Sequence, residues 1–403
     1  MKAAFLAGNR IELLRNGGQY FPALLAAIDG ARQEIHLESY IFADDEIGRT
    51  VALALGKAAR RGVATRVMVD GFGAPDFMSR LGQGMIAQGV EVMVYRPEVT
   101  RLRLSRHRLR RMHRKLAVID RGLAFVGGIN VIDDLDTPDQ AAPRFDYAVA
   151  VEGPLVDPVH ATVRHLWRLL RWASFRRRPP EMSRPLPANG PCGSVEAAFV
   201  VRDNLRHRRD IEEAYLDAIG AARSEIILAN AYFLPGRRFR HALTDAVARG
   251  VRVSVLLQGR VEYLLQHYAT QALYGSLLGA GVKIFEYRPS FLHAKVAVID
   301  GEWATVGSSN IDPFSLLIAK EANLVVRDAG FAGELQRSIH DAMADGAREM
   351  LPEELSRQPF HSKLLRWLAY GVVRLLVGLT GYGPKHWQAD EETPGLTADS
   401  PAE

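Results

Sequence analysis

Apolar residues recur along this chain in two rhythms, and the same order of rhythms occurs twice. Phe21, Leu24, Leu25 and Ile28 keep an i, i+3, i+4 spacing, as do Ile211, Ala214, Tyr215, Ala218 and Ile219. That recurrence predicts an amphipathic helix in each place. Both helices lead through matched segments, Ala31-Arg32-Gln33-Glu34-Ile35-His36-Leu37 and Ala222-Arg223-Ser224-Glu225-Ile226-Ile227-Leu228. An apolar, β-favouring run follows in each copy, Ile35 to Phe42 and Ile226 to Phe233. A second helix then ends in Arg61-Gly62-Val63 or Arg249-Gly250-Val251, where the glycine is a C-terminal stop signal. Buried-strand runs come next, Thr65 to Val69 and Arg252 to Leu257. Strand, helix and strand in that order predict a βαβ unit with parallel strands, so the fold class is α/β.

Between the copies, Arg176-Arg177-Arg178-Pro179-Pro180 is followed by Pro185, Pro187, Gly190, Pro191 and Gly193. Such a stretch does not hold regular structure and reads as a linker. The expected organisation is an N-terminal domain over 1–175, a linker over 176–195 and a C-terminal domain over 196–350. A basic amphipathic helical region over 351–387 and a polar, acidic, disordered tail over 388–403 complete it.

Composition narrows this picture modestly. The chain has 403 residues, 51 basic against 46 acidic, for a formal net charge of +5. That excess favours anionic partners without choosing between nucleic acid and lipid. A single cysteine, Cys192, excludes an intrachain disulfide and a cysteine-built metal site. No secretory signal is visible, and no stretch reaches the roughly 20 uncharged apolar residues of a spanning helix. A soluble or peripheral protein is expected.

Candidate chemistry sits in a second repeated string. His113-Arg114-Lys115 runs through Leu116 to Ile119 and ends at Asp120, and His293-Ala294-Lys295 runs through Val296 to Ile299 and ends at Asp300. Each copy closes on a turn ending in Asn, Gly127-Gly128-Ile129-Asn130 and Gly307-Ser308-Ser309-Asn310, at the same distance from its His. The turn signals Asp120-Arg121-Gly122 and Asp300-Gly301 between apolar runs predict a β-hairpin in each copy. Residues i and i+2 of a strand share a face, so each His points the same way as its Lys. A lone His on a strand is usually structural; a matched His-Lys-Asn set in both copies points to chemistry. A neutral imidazole can attack phosphorus, a protonated one can protonate a leaving alkoxide, and an ammonium offsets phosphate charge. Asn130 and Asn310 could hold a phosphoryl oxygen. No metal or other cofactor is required, since the cations are lysines. Asp120 and Asp300 belong to the motif, but at hairpin turns the structural reading is favoured for both.

These strings resemble the paired H-x-K-x4-D motifs of the phospholipase D superfamily, over both halves of the chain. Within it, Gly307-Ser308-Ser309-Asn310-Ile311-Asp312-Pro313-Phe314-Ser315, continuing to Glu321-Ala322-Asn323, is similar to bacterial cardiolipin synthases, as are Asn9, Glu38-Ser39-Tyr40-Ile41-Phe42, Asp45 and Gly48. Without an N-terminal membrane hairpin, the chain is similar to their shorter, B-type members. The resemblance implies two similar α-β-α sandwich domains packed as a pseudo-twofold pair with one shared active site. It implies transfer of a phosphatidyl group between two phosphatidylglycerols through a phosphohistidine, with His113 the usual nucleophile and His293 the acid and base. His113, Lys115, Asp120, His293, Lys295 and Asp300 then form the catalytic set. Asn130, Asn310 and Ser308 are candidates for binding phosphate. The resemblance further implies that a downstream carboxylate of the other half orients each His, pairing Glu321 with His113 and Asp146 with His293. Gly128 stands where the second copy has Ser308, which breaks the symmetry of the two roles.

Two rivals share these residues: a phosphodiesterase or nuclease on the same scaffold, and a non-catalytic membrane-binding scaffold. Arg101, Arg103, Arg106, Arg108, Arg110, Arg111 and Arg114 crowd ahead of the first motif, and Arg168, Arg171 and Arg176 to Arg178 follow later. The first run lacks interleaved aromatics, which disfavours a single-strand nucleic-acid surface and favours an anionic phospholipid membrane. Lys363, Arg366, Tyr370 and Arg374 make one polar stripe on a helix from Lys363 to Thr380 that is otherwise rich in Leu, Val and Trp. That pattern suits either an interfacial helix or one packed on the core. The expected place is the cytoplasmic side of the cell membrane, bound peripherally. Acceptor alcohol, acyl preference and oligomeric state are not encoded legibly.

Overall fold

The computed structural model describes residues 3–97, 110–135, 142–173, 189–203, 206–261, 263–317, 319–357 and 359–379. The first half runs β1 (Leu6–Arg15), α1 (Asn16–Gly30), β2 (Glu34–Ser39), α2 (Glu46–Arg60), β3 (Ala64–Asp70), α3 (Gln83–Ala87), β4 (Glu91–Tyr95), β5 (Lys115–Ile119), β6 (Leu123–Gly127), β7 (Tyr147–Glu152) and α4 (Val156–Ala173). The second runs β8 (Val195–Arg202), α5 (Asp210–Ala221), β9 (Glu225–Asn230), α6 (Arg237–Ala248), β10 (Arg252–Gln258), α7 (Leu264–Gln271), α8 (Tyr274–Gly279), β11 (Lys283–Tyr287), β12 (Lys295–Ile299), β13 (Trp303–Gly307), α9 (Pro313–Leu317), β14 (Glu321–Arg327) and α10 (Ala329–Ala344). The chain continues through β15 (Ala347–Glu349), α11 (Pro352–Ser356) and α12 (Phe360–Leu379).

Both βαβ units form as the rhythms predict. β2 pairs parallel with β3, and β9 parallel with β10. Both motif hairpins form too, with Lys115 opposite Gly127 and Val296 opposite Val306. The first apolar runs stop being strand earlier than expected, at Ser39 and Asn230. Phe42 and Phe233 instead make single bridges to Val131 and Ile311.

The two halves are more closely joined than a pair of packed sandwiches. Antiparallel pairing of β1 with β8 makes one sheet of 15 strands through the molecule, in the order β15-β11-β10-β9-β12-β13-β14-β8-β1-β7-β6-β5-β2-β3-β4. Strand alternation sorts the core into layers. Ala117 and Ile119 of β5 pack in a cluster with Leu24 and Ile28 of α1 and Leu55 of α2. Leu116 and Val118 join a cluster with Val159 of α4 that also holds Val296, Val298 and Leu335 of the second half. One core therefore spans the boundary, and Tyr147 Oη lies 2.8 Å from Ser338 Oγ across it.

Much of the expected linker, the tail over 388–403, the arginines from 101 to 108 and those from 176 to 178 lie outside the described residues. At the linker's far end, Cys192 N donates to Gly8 O at 2.9 Å, and Val195, expected there, already begins β8.

Candidate active site

Each motif histidine stands two residues ahead of the lysine that opens its strand, and each is stitched to the other half. Lys320 N donates to Arg111 O at 2.7 Å and His113 N donates to Lys320 O at 3.0 Å. Reciprocally, Phe145 N donates to Phe291 O and His293 N to Phe145 O, both at 2.8 Å. Lys320 and Phe145 immediately precede Glu321 and Asp146. The backbone thus delivers to each imidazole a carboxylate of the opposite half. His113 Nδ1 lies 3.0 and 3.2 Å from the Glu321 oxygens, and His293 Nδ1 lies 2.6 Å from Asp146 Oδ2. A carboxylate at Nδ1 selects the tautomer with its proton there and leaves Nε2 with a lone pair.

The two carboxylates are held differently. Glu321, fully buried, accepts from Ser308 Oγ at 2.5 Å, and Ser308 Oγ accepts in turn from Ala322 N at 3.0 Å. Asp146 accepts from the backbone of Tyr147 at 2.8 Å. A Cβ on Gly128 would lie 2.3 Å from Asp146 Oδ1, so the first copy has no room for the serine of the second. Ser308 is therefore a carboxylate-holding residue with no exposed surface, which corrects its expected place as a phosphate ligand.

The lysines sit beside the histidines, buried. Lys115 Nζ donates to His113 O at 2.7 Å and lies 5.4 Å from the centroid of the Tyr40 ring. Lys295 Nζ donates to the carbonyl of His293, and lies 2.7 Å from its Nδ1 and 3.6 Å from Asp146 Oδ2. Burial pushes the Lys115 ammonium down to about 7, with Glu321 acting against it. Burial likewise lowers His113. Burial, helped by Lys295, lowers His293 to about 3 against the pull of Asp146. For Asp146, burial acts upward, but Lys295 and His293 outweigh it and hold the carboxyl below its ordinary value. The protein's own groups thus keep both imidazoles neutral at pH 7 beside ionised Asp146.

A cavity of about 240 Å³ opens onto both imidazoles and is also lined by Tyr40, Asn130, Arg144, Asp146, Tyr232 and Tyr263. Asn130 is fixed there by accepting from Ile41 N at 3.1 Å. Asn310 is almost fully buried, is not among the residues lining this cavity, and its Oδ1 has no hydrogen-bond partner among the described residues. Sequence reasoning missed the aromatic lining. Tyr40 meets His113 edge-on at 4.7 Å between centroids. The matched bridges of Phe42 and Phe233 place Ala231 at the position in the second half equivalent to Tyr40.

Asp120 and Asp300 are not brought to the site. Seven residues of extended chain place each about 20 Å from its His, at the opposite end of the hairpin. Asp120, at φ +48°, accepts from the backbone N–H of Arg32, Gln33 and Glu34 at 2.7–2.9 Å. Asp300, at φ +53°, accepts from Arg223, Ser224 and Glu225 at 2.8–2.9 Å. Each side chain staples the hairpin tip to the start of the neighbouring strand. The catalytic set loses these two, as turn chemistry suggests.

Among the described residues, Glu34, His36 and His160 have the reach of a metal-binding trio. Arg66 Nη1 stands 3.2 Å from both Glu34 Oε2 and His36 Nε2, so a guanidinium already occupies the cation's position. The cluster ties β2, β3 and α4 together as an ion network.

A family model described as cardiolipin synthase, PLD-like domain, matches residues 24–135 and 215–343. Cardiolipin synthase B of Escherichia coli (strain K12) is 37% identical over 414 residues, covering 100% of this chain and 96% of that protein. Cardiolipin synthase A of Cronobacter sakazakii is 31% identical over 375 residues, covering 91% of this chain and 76% of that protein. Among solved structures, a phosphatidylserine synthase of Haemophilus influenzae superposes with a TM-score of 0.68 at 12% identity, covering 93% of this chain and 96% of its own. A polyphosphate kinase of Porphyromonas gingivalis gives a TM-score of 0.54 at 16% identity, over 92% of this chain and 53% of its own. Matched in both halves and along its whole length, the chain belongs to the PLD-like cardiolipin synthase family.

Proposed function

We propose that this chain joins two phosphatidylglycerol molecules into cardiolipin and releases glycerol. The reading rests on one observation above all: two histidines, each held by a carboxylate of the opposite half, share one cavity. In the first step, neutral His113 attacks the phosphorus through Nε2. The bond from phosphorus to the glycerol oxygen breaks, and the leaving alkoxide takes its proton from His293. In the second step, His293 takes the proton from a hydroxyl of the second phosphatidylglycerol, whose oxygen attacks phosphorus and expels His113. An anionic phosphodiester offsets the positive charge of Lys115 and Lys295, which lets His293 carry the proton the first step needs. Asn130, on the cavity wall, is placed to donate to a phosphoryl oxygen. Oriented charge does the work here, and the scheme calls for no further cofactor. Peripheral attachment at the cytoplasmic face of an anionic membrane would bring this site to its substrate.

Incubation with phosphatidylglycerol vesicles and, separately, with single-stranded DNA tests the reading by mass spectrometry. Cardiolipin and glycerol in equal amounts are expected, with no DNA products. DNA cleavage without new lipid would establish the nuclease reading instead, and unchanged products from His113→Ala would remove His113 from the chemistry. Enzyme denatured with detergent at alkaline pH, where a histidine P–N bond survives, is expected to retain phosphorus on His113, and His113→Ala to retain none there.

A further inference from the structure

We infer that the edge of the molecule where the two histidines meet is a bilayer-docking face, with α12 lying in the interface beside the cavity mouth. The inference rests on the lipid substrate proposed above and adds the surface that delivers it.

The packing of α12 carries this. A helix on a water-soluble protein turns its apolar side inward. α12 does the reverse. Arg366 and Tyr370 are half-buried beside buried Ala369 and Val373, at i, i+3, i+4 and i+7. Arg240 Nη1 donates to the Tyr370 hydroxyl at 3.3 Å. Part of the predicted polar stripe therefore faces the protein. Trp367 is 67% exposed and Leu375 63%, and Leu364, Leu365, Leu368, Val372 and Leu376 are exposed with them. Seven large apolar side chains on one helix are more than scattered surface hydrophobics. Lys363 and Arg374 border them, giving the mix of cations and apolar bulk that suits an anionic interface.

This surface is continuous with the active site. α12 packs along α7. α7 begins directly after Tyr263, which lines the cavity, and its first residues Leu264 and Leu265 are exposed. These residues follow β10. The equivalent loop of the first half follows β3 and exposes Phe72. Gly71 N and Gly259 N, each donating to the end of the neighbouring strand at 2.9 Å, start the two loops alike. Leu135, beyond the Asn130 turn, is exposed as well. Apolar lips from both halves thus flank the cavity, with Arg111 over the Phe72 ring at 4.9 Å and Arg144 on the cavity wall. A lipid headgroup can enter between the lips while its acyl chains remain in the bilayer.

Flotation with vesicles of phosphatidylglycerol and phosphatidylcholine tests this. The paired variant Trp367→Glu/Leu375→Glu, and separately Leu264→Asp, are expected to weaken vesicle binding about tenfold or more. Leu53→Asp, on the outer face of α2, is expected to bind like the parent chain. Turnover of a short-chain, water-soluble phosphatidylglycerol should survive in all of them, while turnover of vesicle lipid falls in the first two. A second readout does not depend on losing anything: in a Cys192→Ser background, Trp367→Cys and Phe72→Cys carry a polarity-sensitive dye. Vesicles are expected to blue-shift both dyes and not one at Leu53→Cys. Unchanged dyes, or undiminished binding by the α12 and α7 variants, would overturn the docking face while leaving the chemistry standing. Salt-resistant dimerisation that alone buries Trp367 would assign the surface to a second copy. Absence of turnover on both lipid forms would instead defeat the proposed reaction.

Discussion

Gly128 and Ser308 hold the same place in the two copies and meet different demands. Glu321 is long and needs a second hydrogen bond to stay on His113; Asp146 is short and fills the space a side chain at 128 would need. Ser308→Ala is expected to lower kcat about tenfold with little change in KM, because it loosens a carboxylate that holds the histidine and does not line the cavity. Gly128→Ser should cost more, on the order of 10²–10⁴-fold, because it drives Asp146 off His293. Steady-state kinetics on short-chain lipid separates the two; equal effects would contradict an asymmetric support of the two carboxylates. The His293 value of about 3 has a consequence for stability. Between that and its ordinary 6.5, the unfolded chain binds a proton that the folded chain does not. This contribution is fully present above pH 6.5 and is lost as pH falls toward 3. Urea unfolding at pH 7 and pH 5 should show a smaller drop for His293→Gln than for the parent chain.

At the scale of elements, Asp120 and Asp300 act as staples. Asp300→Ala removes the acceptor for three backbone N–H groups and leaves a residue at positive φ without its compensation. A loss of about 1–3 kcal/mol in denaturant unfolding is expected, with kcat on short-chain lipid retained; a large fall in kcat in a folded variant would return the residue to the chemistry. The sequence made these elements legible unevenly. The βαβ units and hairpins were readable because they are buried on both sides, which writes long apolar runs bounded by Gly or Asp. β1 was not, since Gly8, Asn9 and Arg10 interrupt its pattern, and its role in joining the halves depends on pairing with distant β8. Which way α12 turns was also hidden, since helical periodicity places residues on a face and does not say which face the protein takes. The cross-pairing of Glu321 and Asp146 followed from family resemblance, and no local spacing pointed to it; the tyrosine cover of His113 arises only once the segment after β2 meets the one before β5.

For the whole molecule, each half holds one histidine and the carboxylate for the other, so neither half contains a complete site. β1 and β8 join the halves in one sheet, and a shared core holds Val118 with Val298 and Leu335. Burying such side chains contributes about 1.5–3 kcal/mol each, so the halves should remain assembled without a covalent connection. A protease site placed at Glu181, within the Pro-rich stretch, tests this. After cleavage, the two pieces are expected to co-elute in size exclusion and retain turnover of short-chain phosphatidylglycerol. Separated in denaturant and refolded singly, each piece should be inactive, because its imidazole lacks the carboxylate that sets its tautomer. Remixing should restore activity with second-order kinetics. Pairing a His113→Ala first piece with a His293→Ala second piece should restore nothing, because the single site then lacks both imidazoles. Turnover by either piece alone would mean that a histidine finds its orienting group within its own half, and the shared site would have to be abandoned.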